Sequence, residues 1–88
     1  MSDEATWLDG NAIAGLLDEV FETEMTTALR VCGSCGTSSA VGAHRAYRSA
    51  GTVLRCPACG DVALRITELT DRHVVHLTGA WRIEMPRG

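Results

Sequence analysis

The sequence contains no lysine and no glutamine, so all eight of its basic residues are arginine. It also has no apolar run near the ~20 residues that a membrane-spanning helix needs. The opening, Met1 to Glu4, is polar and leads into no apolar targeting region. We therefore expect no membrane span and a cytoplasmic location, where thiols stay reduced and metal binding is favoured over disulfides.

The sequence also lacks the common signatures of enzyme active sites. It contains no glycine-rich phosphate-binding loop and no nucleophile motif. Two of its three histidines, His73 and His76, are three residues apart on a predicted strand, so they point to opposite faces and cannot easily share a metal. The third, His44, lies far from both in the sequence. We therefore predict that the protein is not an enzyme.

The length favours a single small domain that needs a cross-link or a metal. A chain of 88 residues buries only about 60–65 % of its unfolded surface, which leaves a hydrophobic core marginal on its own. Natural domains of this size commonly add disulfides or a structural metal.

The four cysteines supply such a site. They form two Cys-x-x-Cys-Gly segments, here called the first knuckle (residues 32–36) and the second knuckle (residues 56–60). Paired Cys-x-x-Cys segments at this spacing are typical of four-cysteine zinc sites. The glycine that ends each knuckle, Gly36 or Gly60, permits the positive φ of a sharp turn. We therefore predict one structural Zn²⁺ held by Cys32, Cys35, Cys56 and Cys59. Four thiolates complete the tetrahedron and leave no position for water or substrate.

The N-terminal part of the chain has a helical pattern. Its apolar residues recur with helical period on one face and are Ile13, Leu16, Leu17, Val20 and Phe21. Asp9 is a good N-cap, and Leu8 with Ile13 fits a hydrophobic staple. Acidic residues follow at Glu22 and Glu24, which is unfavourable at a helix C-terminus. We expect the helix to end near residues 21–23.

The remaining chain has the period-two pattern of strands. We predict strands at residues 26–31, 41–48, 52–55, 62–67, 72–78 and 81–85, with residues 37–40 as a loop. The predicted fold is a small α+β domain, an N-terminal helix packed on a β-rich zinc ribbon with an antiparallel sheet of about five or six strands. Residues 1–7 are a flexible N-terminus, residues 8–85 the domain and residues 86–88 a tail. The helix is expected to pack against Leu64, Ile66, Val75, Leu77 and Ile83.

The segment Leu8–Ala28, Leu-Asp-Gly-Asn-Ala-Ile-Ala-Gly-Leu-Leu-Asp-Glu-Val-Phe-Glu-Thr-Glu-Met-Thr-Thr-Ala, precedes the two knuckles and the later strands. With them it resembles a family of short bacterial proteins recorded as a domain of unknown function with zinc-ribbon character. The resemblance covers nearly the whole chain. It implies zinc at the four cysteines and implies no known activity.

Three functions remain open. Elimination favours a non-catalytic module that binds another protein. The first alternative is a nucleic-acid-binding ribbon, in which Arg45, Tyr47 and Arg48 combine cations with a stacking aromatic ring. The second is an iron electron carrier, because the knuckle pair resembles that of rubredoxins and a four-sulfur tetrahedron accepts either metal. The scarcity of aromatic residues weighs against the iron carrier.

Charge is divided unevenly along the chain. Residues 1–24 contain seven acidic and no basic residues, whereas all eight arginines and only four acidic residues follow. We expect the acidic helix to lie across the arginines of the ribbon. A covered basic face cannot grip phosphates, so this arrangement predicts no measurable nucleic-acid binding at ~150 mM salt.

Overall fold

The computed structural model describes residues 7–48, 50–85 and 87. The predicted tail at residues 86 and 88 and most of the predicted flexible N-terminus, residues 1–6, lie outside this part. Trp7, at the edge of that predicted segment, belongs to a strand.

The described residues form one short α-helix, two 3₁₀ helices and eight strands. A 3₁₀ helix at Gly10–Ile13 runs directly into helix α1, Ala14–Phe21, and a second 3₁₀ helix spans Val41–Ala43. The strands in chain order are β1 Trp7–Asp9, β2 Leu29–Val31, β3 Ser38–Ala40, β4 Arg45–Arg48, β5 Thr52–Arg55, β6 Val62–Glu68, β7 His73–Leu77 and β8 Ala80–Arg82.

The strands build two antiparallel sheets. The larger sheet has the order β1-β4-β5-β6-β7, and the smaller has the order β3-β2-β8. The predicted α+β class with antiparallel pairing is therefore confirmed. The first knuckle follows β2 and the second follows β5, so each sheet delivers one pair of cysteines.

Several predicted strand boundaries are wrong, each for a local reason. The predicted loop at residues 37–40 contains β3, because the first knuckle turns the chain back onto β2. The predicted strand at residues 41–48 begins with a 3₁₀ turn, since the Val41 and Gly42 N–H groups donate to carbonyls of Ala28 and Thr26 instead of a strand. Strand β1 was not expected at all.

The start of the helix also differs from the prediction. Asp9 is extended and its side chain makes no capping hydrogen bond, because the residue is paired with Arg45 in the sheet. Leu8 is 49 % exposed, so it forms no staple with Ile13. The helix ends as predicted: Phe21 is its last residue, and Glu22 takes a left-handed φ of 57° while its N–H donates to the Asp18 carbonyl.

The core lies between the helical segment and one face of the larger sheet. Its buried members come from both sides and are Ile13, Leu17, Met25, Ala28, Val41, Ala46, Leu54, Ala63, Leu64 and Ile66. Val75 and Ile83 pack against this cluster as expected. Leu77 does not, being 43 % exposed: β7 is an edge strand, so the end of it has a neighbouring strand on one side only. None of the helices described is long and apolar enough to cross a membrane.

Candidate metal centre

The two knuckles have the same backbone hydrogen bonds. In the first, the Gly36 N–H donates to the Cys32 carbonyl at 3.0 Å, and in the second the Gly60 N–H donates to the Cys56 carbonyl at 2.9 Å. Both glycines have positive φ, 77° and 81°, as predicted. In each knuckle a backbone N–H also lies 3.4 Å from the first sulfur, from Ser34 or from Ala58. These donors stabilise thiolates and orient them as ligands.

The knuckles bring all four sulfur atoms together. The ligand atoms of Cys32, Cys35, Cys56 and Cys59 all lie within 4.8 Å of one another. Across the two knuckles, Cys32 Sγ is 3.6 Å from Cys59 Sγ, and Cys35 Sγ is 3.7 Å from Cys56 Sγ. A tetrahedral ion with Zn–S bonds of about 2.3 Å requires sulfur separations of about 3.8 Å. The four thiols are free, and their arrangement fits a tetrahedral metal ion.

The electrostatics of the cluster call for a cation. Backbone N–H groups of Cys35 and Ser34 lower the pKa of Cys32 to about 6. The pKa of Cys35 is lowered as well, first by the Thr37 hydroxyl, whose oxygen lies 3.3 Å from the sulfur. The backbone N–H of Asp61 lowers the pKa of Cys59, but burial and the three neighbouring sulfurs outweigh it and raise this pKa to about 12. The last thiol therefore ionises with difficulty unless a divalent cation offsets the accumulated negative charge.

Polar contacts fasten the second knuckle to its surroundings. The Ser34 hydroxyl of the first knuckle donates to the Asp61 carboxylate just beyond the second. Arg55 Nη1 donates to the Gly60 carbonyl at 2.9 Å. The cysteine cluster is thus connected both across the two knuckles and to strand β5 of the larger sheet.

A buried arginine lies beside the first knuckle, and sequence reasoning missed it. Arg30 is 1 % exposed and its Nε donates to the Thr78 carbonyl at 2.8 Å. Its Nη1 is 3.5 Å from Nε2 of His44, a second buried residue, whose Nδ1 is 2.9 Å from the Ala40 carbonyl. These contacts fit a neutral His44 that donates from Nδ1 and accepts at Nε2. Burial lowers the pKa of His44, with a contribution from the positive charge of Arg30.

The residues predicted for the nucleic-acid alternative do not share one surface. Arg45 and Tyr47 are two apart on β4 and point to the same face of the larger sheet, opposite the core. Arg48 has the opposite parity and points to the face of buried Ala46. Of the three residues named for this alternative, the structure therefore places Arg45 and Tyr47 together on one face and Arg48 on the other, as the strand alternation predicts.

The face with Arg45 and Tyr47 carries further residues that the sequence did not bring together. The guanidinium carbon of Arg45 lies 5.0 Å from the centre of the Trp7 ring, and that of Arg55 lies 5.7 Å from the Tyr47 ring. The strand pairing that creates this arrangement, β1 with β4, joins segments far apart in the chain. The only signal of this face in the sequence is the alternation of side chains within each strand.

The acidic helix does not lie on this face. Leu17 of α1 is fully buried in the same cluster as Leu64 and Ile66, on the opposite side of the sheet from Tyr47. Within the described residues, the helix makes one contact of ion-pair type to a strand, Glu19 to His73 at 3.9 Å. The expectation that the helix covers the arginines of the ribbon therefore fails for Arg45.

The fold and the cysteine cluster define a small α+β domain with a four-cysteine site suited to a metal ion. The chain belongs to the Family of unknown function (DUF6510), which matches residues 2–88. No curated protein and no solved structure shows significant similarity to the chain.

Proposed function

We propose that this protein is a non-catalytic zinc ribbon, in which Cys32, Cys35, Cys56 and Cys59 hold one structural Zn²⁺. The observation that carries the proposal is the set of four sulfur atoms within 4.8 Å of one another. Four thiolates fill the coordination of a tetrahedral ion, so the metal keeps no open position for substrate. The role of the metal is then to fix the two knuckles and, through them, the ends of both sheets.

Zinc accounts for the site better than iron does. Structural four-cysteine sites most commonly hold zinc, although a four-sulfur tetrahedron accepts either ion. The small number of aromatic residues, two Trp, one Tyr and one Phe, also weighs against an iron electron carrier. The free thiols further favour a reducing compartment, and we propose the bacterial cytoplasm. A rubredoxin-like iron carrier remains the competing function.

The protein acts, in this proposal, by binding another macromolecule. Elimination favours a protein partner. A nucleic-acid partner has a specific observation in its favour, the arginine and aromatic residues on the free face of the larger sheet.

Metal analysis tests the proposal directly. Protein purified without added metal is expected to contain one equivalent of zinc by elemental analysis. Structural zinc contributes an apparent ~10–16 kcal/mol at neutral pH, against a typical net stability of about 5–15 kcal/mol. Chelation or Cys35→Ser should therefore abolish the cooperative thermal transition. Ala58→Ser, a change at an exposed non-ligand position in the second knuckle, should keep both the zinc and the transition.

Two results would count against zinc as the structural ion. One equivalent of iron with strong visible absorption would favour the electron carrier. A metal-free protein with an unchanged thermal transition would exclude a structural metal of either kind.

A further inference from the structure

The face of the larger sheet opposite the core has an unusual composition for a solvent-exposed surface. We call it the outer face and define it by Trp7, Arg45, Tyr47, Val53, Arg55 and Arg65. Strand register places these side chains together: Trp7 pairs with Tyr47, Tyr47 with Val53, and Val53 with Arg65. Residues directly opposite each other on paired strands point to the same side.

The outer face carries an excess of positive charge that the described part of the chain leaves unneutralised. Arg45 and Arg55 are direct cross-strand partners, an arrangement that is ordinarily destabilising for like charges. On the neighbouring strand β1, Asp9 is the other cross-strand partner of Arg45. Among the described residues, no carboxylate comes within ion-pairing distance of Arg45, Arg55 or Arg65. A site that retains such repulsion is suited to an anion that would relieve it.

The aromatic rings lie among these cations. Trp7 is 45 % exposed, and Tyr47 is its direct neighbour across the strand pair. Each ring has an arginine over it, Arg45 on Trp7 and Arg55 on Tyr47. The row extends through Arg65 to His76 on β7, so at about 4.8 Å between strands it covers roughly 19 Å. Arg45 and Arg55 pair with each other beside this row. Flat rings next to phosphate-binding cations match unpaired bases joined by a phosphate backbone.

We propose that the outer face binds single-stranded nucleic acid, with bases stacked on Trp7 and Tyr47 and phosphates paired with Arg45, Arg55 and Arg65. Exposed sheet surfaces that stack two or three bases on aromatic side chains are an established mode of single-strand recognition. Double-stranded nucleic acid would offer phosphates but no free base faces to the two rings. An acidic protein segment would pair with the arginines but would leave the rings without a matching partner.

The negative net charge of the chain does not oppose this binding. Helix α1, which carries Asp18 and Glu19, packs on the other side of the sheet from the outer face, in one cluster with Leu64 and Ile66. The only acidic side chain that the described strands of the larger sheet place on the outer face is Asp9, since Glu68 pairs with His73 on the inner face. This proposal reverses the expectation, drawn from the sequence, that nucleic acid does not bind.

The test measures fluorescence anisotropy of a labelled single-stranded oligonucleotide titrated with the zinc-loaded full chain. The probe is a uridine or thymidine homopolymer of about 10 nucleotides, within the 4–16 nucleotides that single-strand-binding folds cover. Trp7→Ala and Tyr47→Ala should each weaken binding by roughly 5- to 150-fold, the range expected for loss of one stacked base. With three phosphate contacts, the logarithm of the affinity should fall with the logarithm of salt at a slope of about −2, and Arg65→Ala should reduce that slope by about 0.7.

Strand β4 provides a matched control. Arg45→Ala and Arg48→Ala change the net charge equally on the same strand, but only Arg45 lies on the outer face. Arg45→Ala should weaken binding clearly more than Arg48→Ala does. Circular dichroism and zinc content confirm that each variant is folded.

Five results would overturn the proposal, the first four of them from measurements with the single-stranded probe. These are no binding by the parent protein at ~50 mM salt, equal losses for Arg45→Ala and Arg48→Ala, unchanged affinity in both aromatic variants, and equal competition by polyglutamate, which would indicate an acidic protein partner. Tighter binding of a duplex of the same length would equally reject stacking. The metal can still be structural in each of these cases, so zinc content is scored apart from binding.

Discussion

Gly79 offers the sharpest test of how closely the turn between β7 and β8 approaches strand β2 of the smaller sheet. It has a φ of 87°, and a Cβ atom there would lie 2.6 Å from the backbone oxygen of Val31 and about 3 Å from the guanidinium of Arg30. Left-handed backbone costs a non-glycine residue about 1–2 kcal/mol. Displacing packed backbone adds typically 1–3 kcal/mol. We therefore expect Gly79→Ala to lower the free energy of unfolding by roughly 2–5 kcal/mol.

Urea unfolding at a fixed excess of zinc measures this loss, since bound metal shifts apparent stability by mass action. The midpoint should fall by about 1–2.5 M at a slope of about 2 kcal/mol/M, the middle of the range for small proteins. The matched control is Gly15→Ala in α1, where a Cβ would meet no atom within 4 Å. Relief of glycine's entropy cost in a helix should raise stability by roughly 0.5–1 kcal/mol. A Gly79→Ala midpoint within error of the parent would refute the close approach of the β7–β8 turn to β2.

Three further predictions concern the core and two titrating groups. Leu17→Ala should lower the free energy of unfolding, measured by urea titration, by about 2–5 kcal/mol because the Leu17 side chain is fully buried. Leu8→Ala, at a half-exposed position, should lower it by under about 0.5 kcal/mol. Equal losses in the two variants would contradict the observed packing. Burial lowers the pKa of His44 from its ordinary 6.5, so the contribution of the neutral imidazole to stability is complete above pH 6.5 and is lost as the pH falls below 6.5. The difference in unfolding free energy between the parent and a His44→Asn variant should therefore shrink between pH 7 and pH 5. A constant difference would refute the neutral buried imidazole. Hydrogen bonds from the Thr26 side chain, the Thr27 side chain and the Thr26 N–H lower the pKa of Glu24 to about 2. An NMR titration of this carboxyl should therefore have its midpoint near pH 2. A midpoint at the ordinary 4.5 would show that these hydrogen bonds do not persist in solution.

The cysteine cluster could be predicted from the sequence because its geometry is mostly local. Each knuckle is a five-residue turn closed by its own hydrogen bond and its own glycine, so the spacing of cysteines alone specifies two ligands per turn. The end of α1 was also predictable, since Glu22 follows the last apolar residue of the helical pattern. Both features depend on residues within a few positions of each other.

Features that depend on distant pairing could not be predicted in the same way. Trp7–Asp9 is too short to show a strand pattern, and it becomes a strand only because β4 offers it a free edge. Arg30 sits at an alternating strand position between two apolar residues, which is the pattern of a solvent-facing charge. In the structure Leu29 and Val31 are about 40 % exposed and Arg30 is buried, because the Thr78 carbonyl lies within reach of its guanidinium.

The uneven charge of the chain shows why a net charge is a poor guide to what a small domain binds. The sequence places acidic residues before the ribbon and arginines within it, and proximity along the chain suggests that they neutralise one another. In the fold, however, α1 buries its apolar stripe on one face of the larger sheet, so the sheet itself separates the acidic helix from Arg45, Arg55 and Arg65. Solvent-exposed charges that lie farther apart than the Debye length, about 8 Å at physiological salt, are largely screened from each other. A ligand at the outer face therefore meets a locally basic, aromatic surface on a protein that is acidic overall.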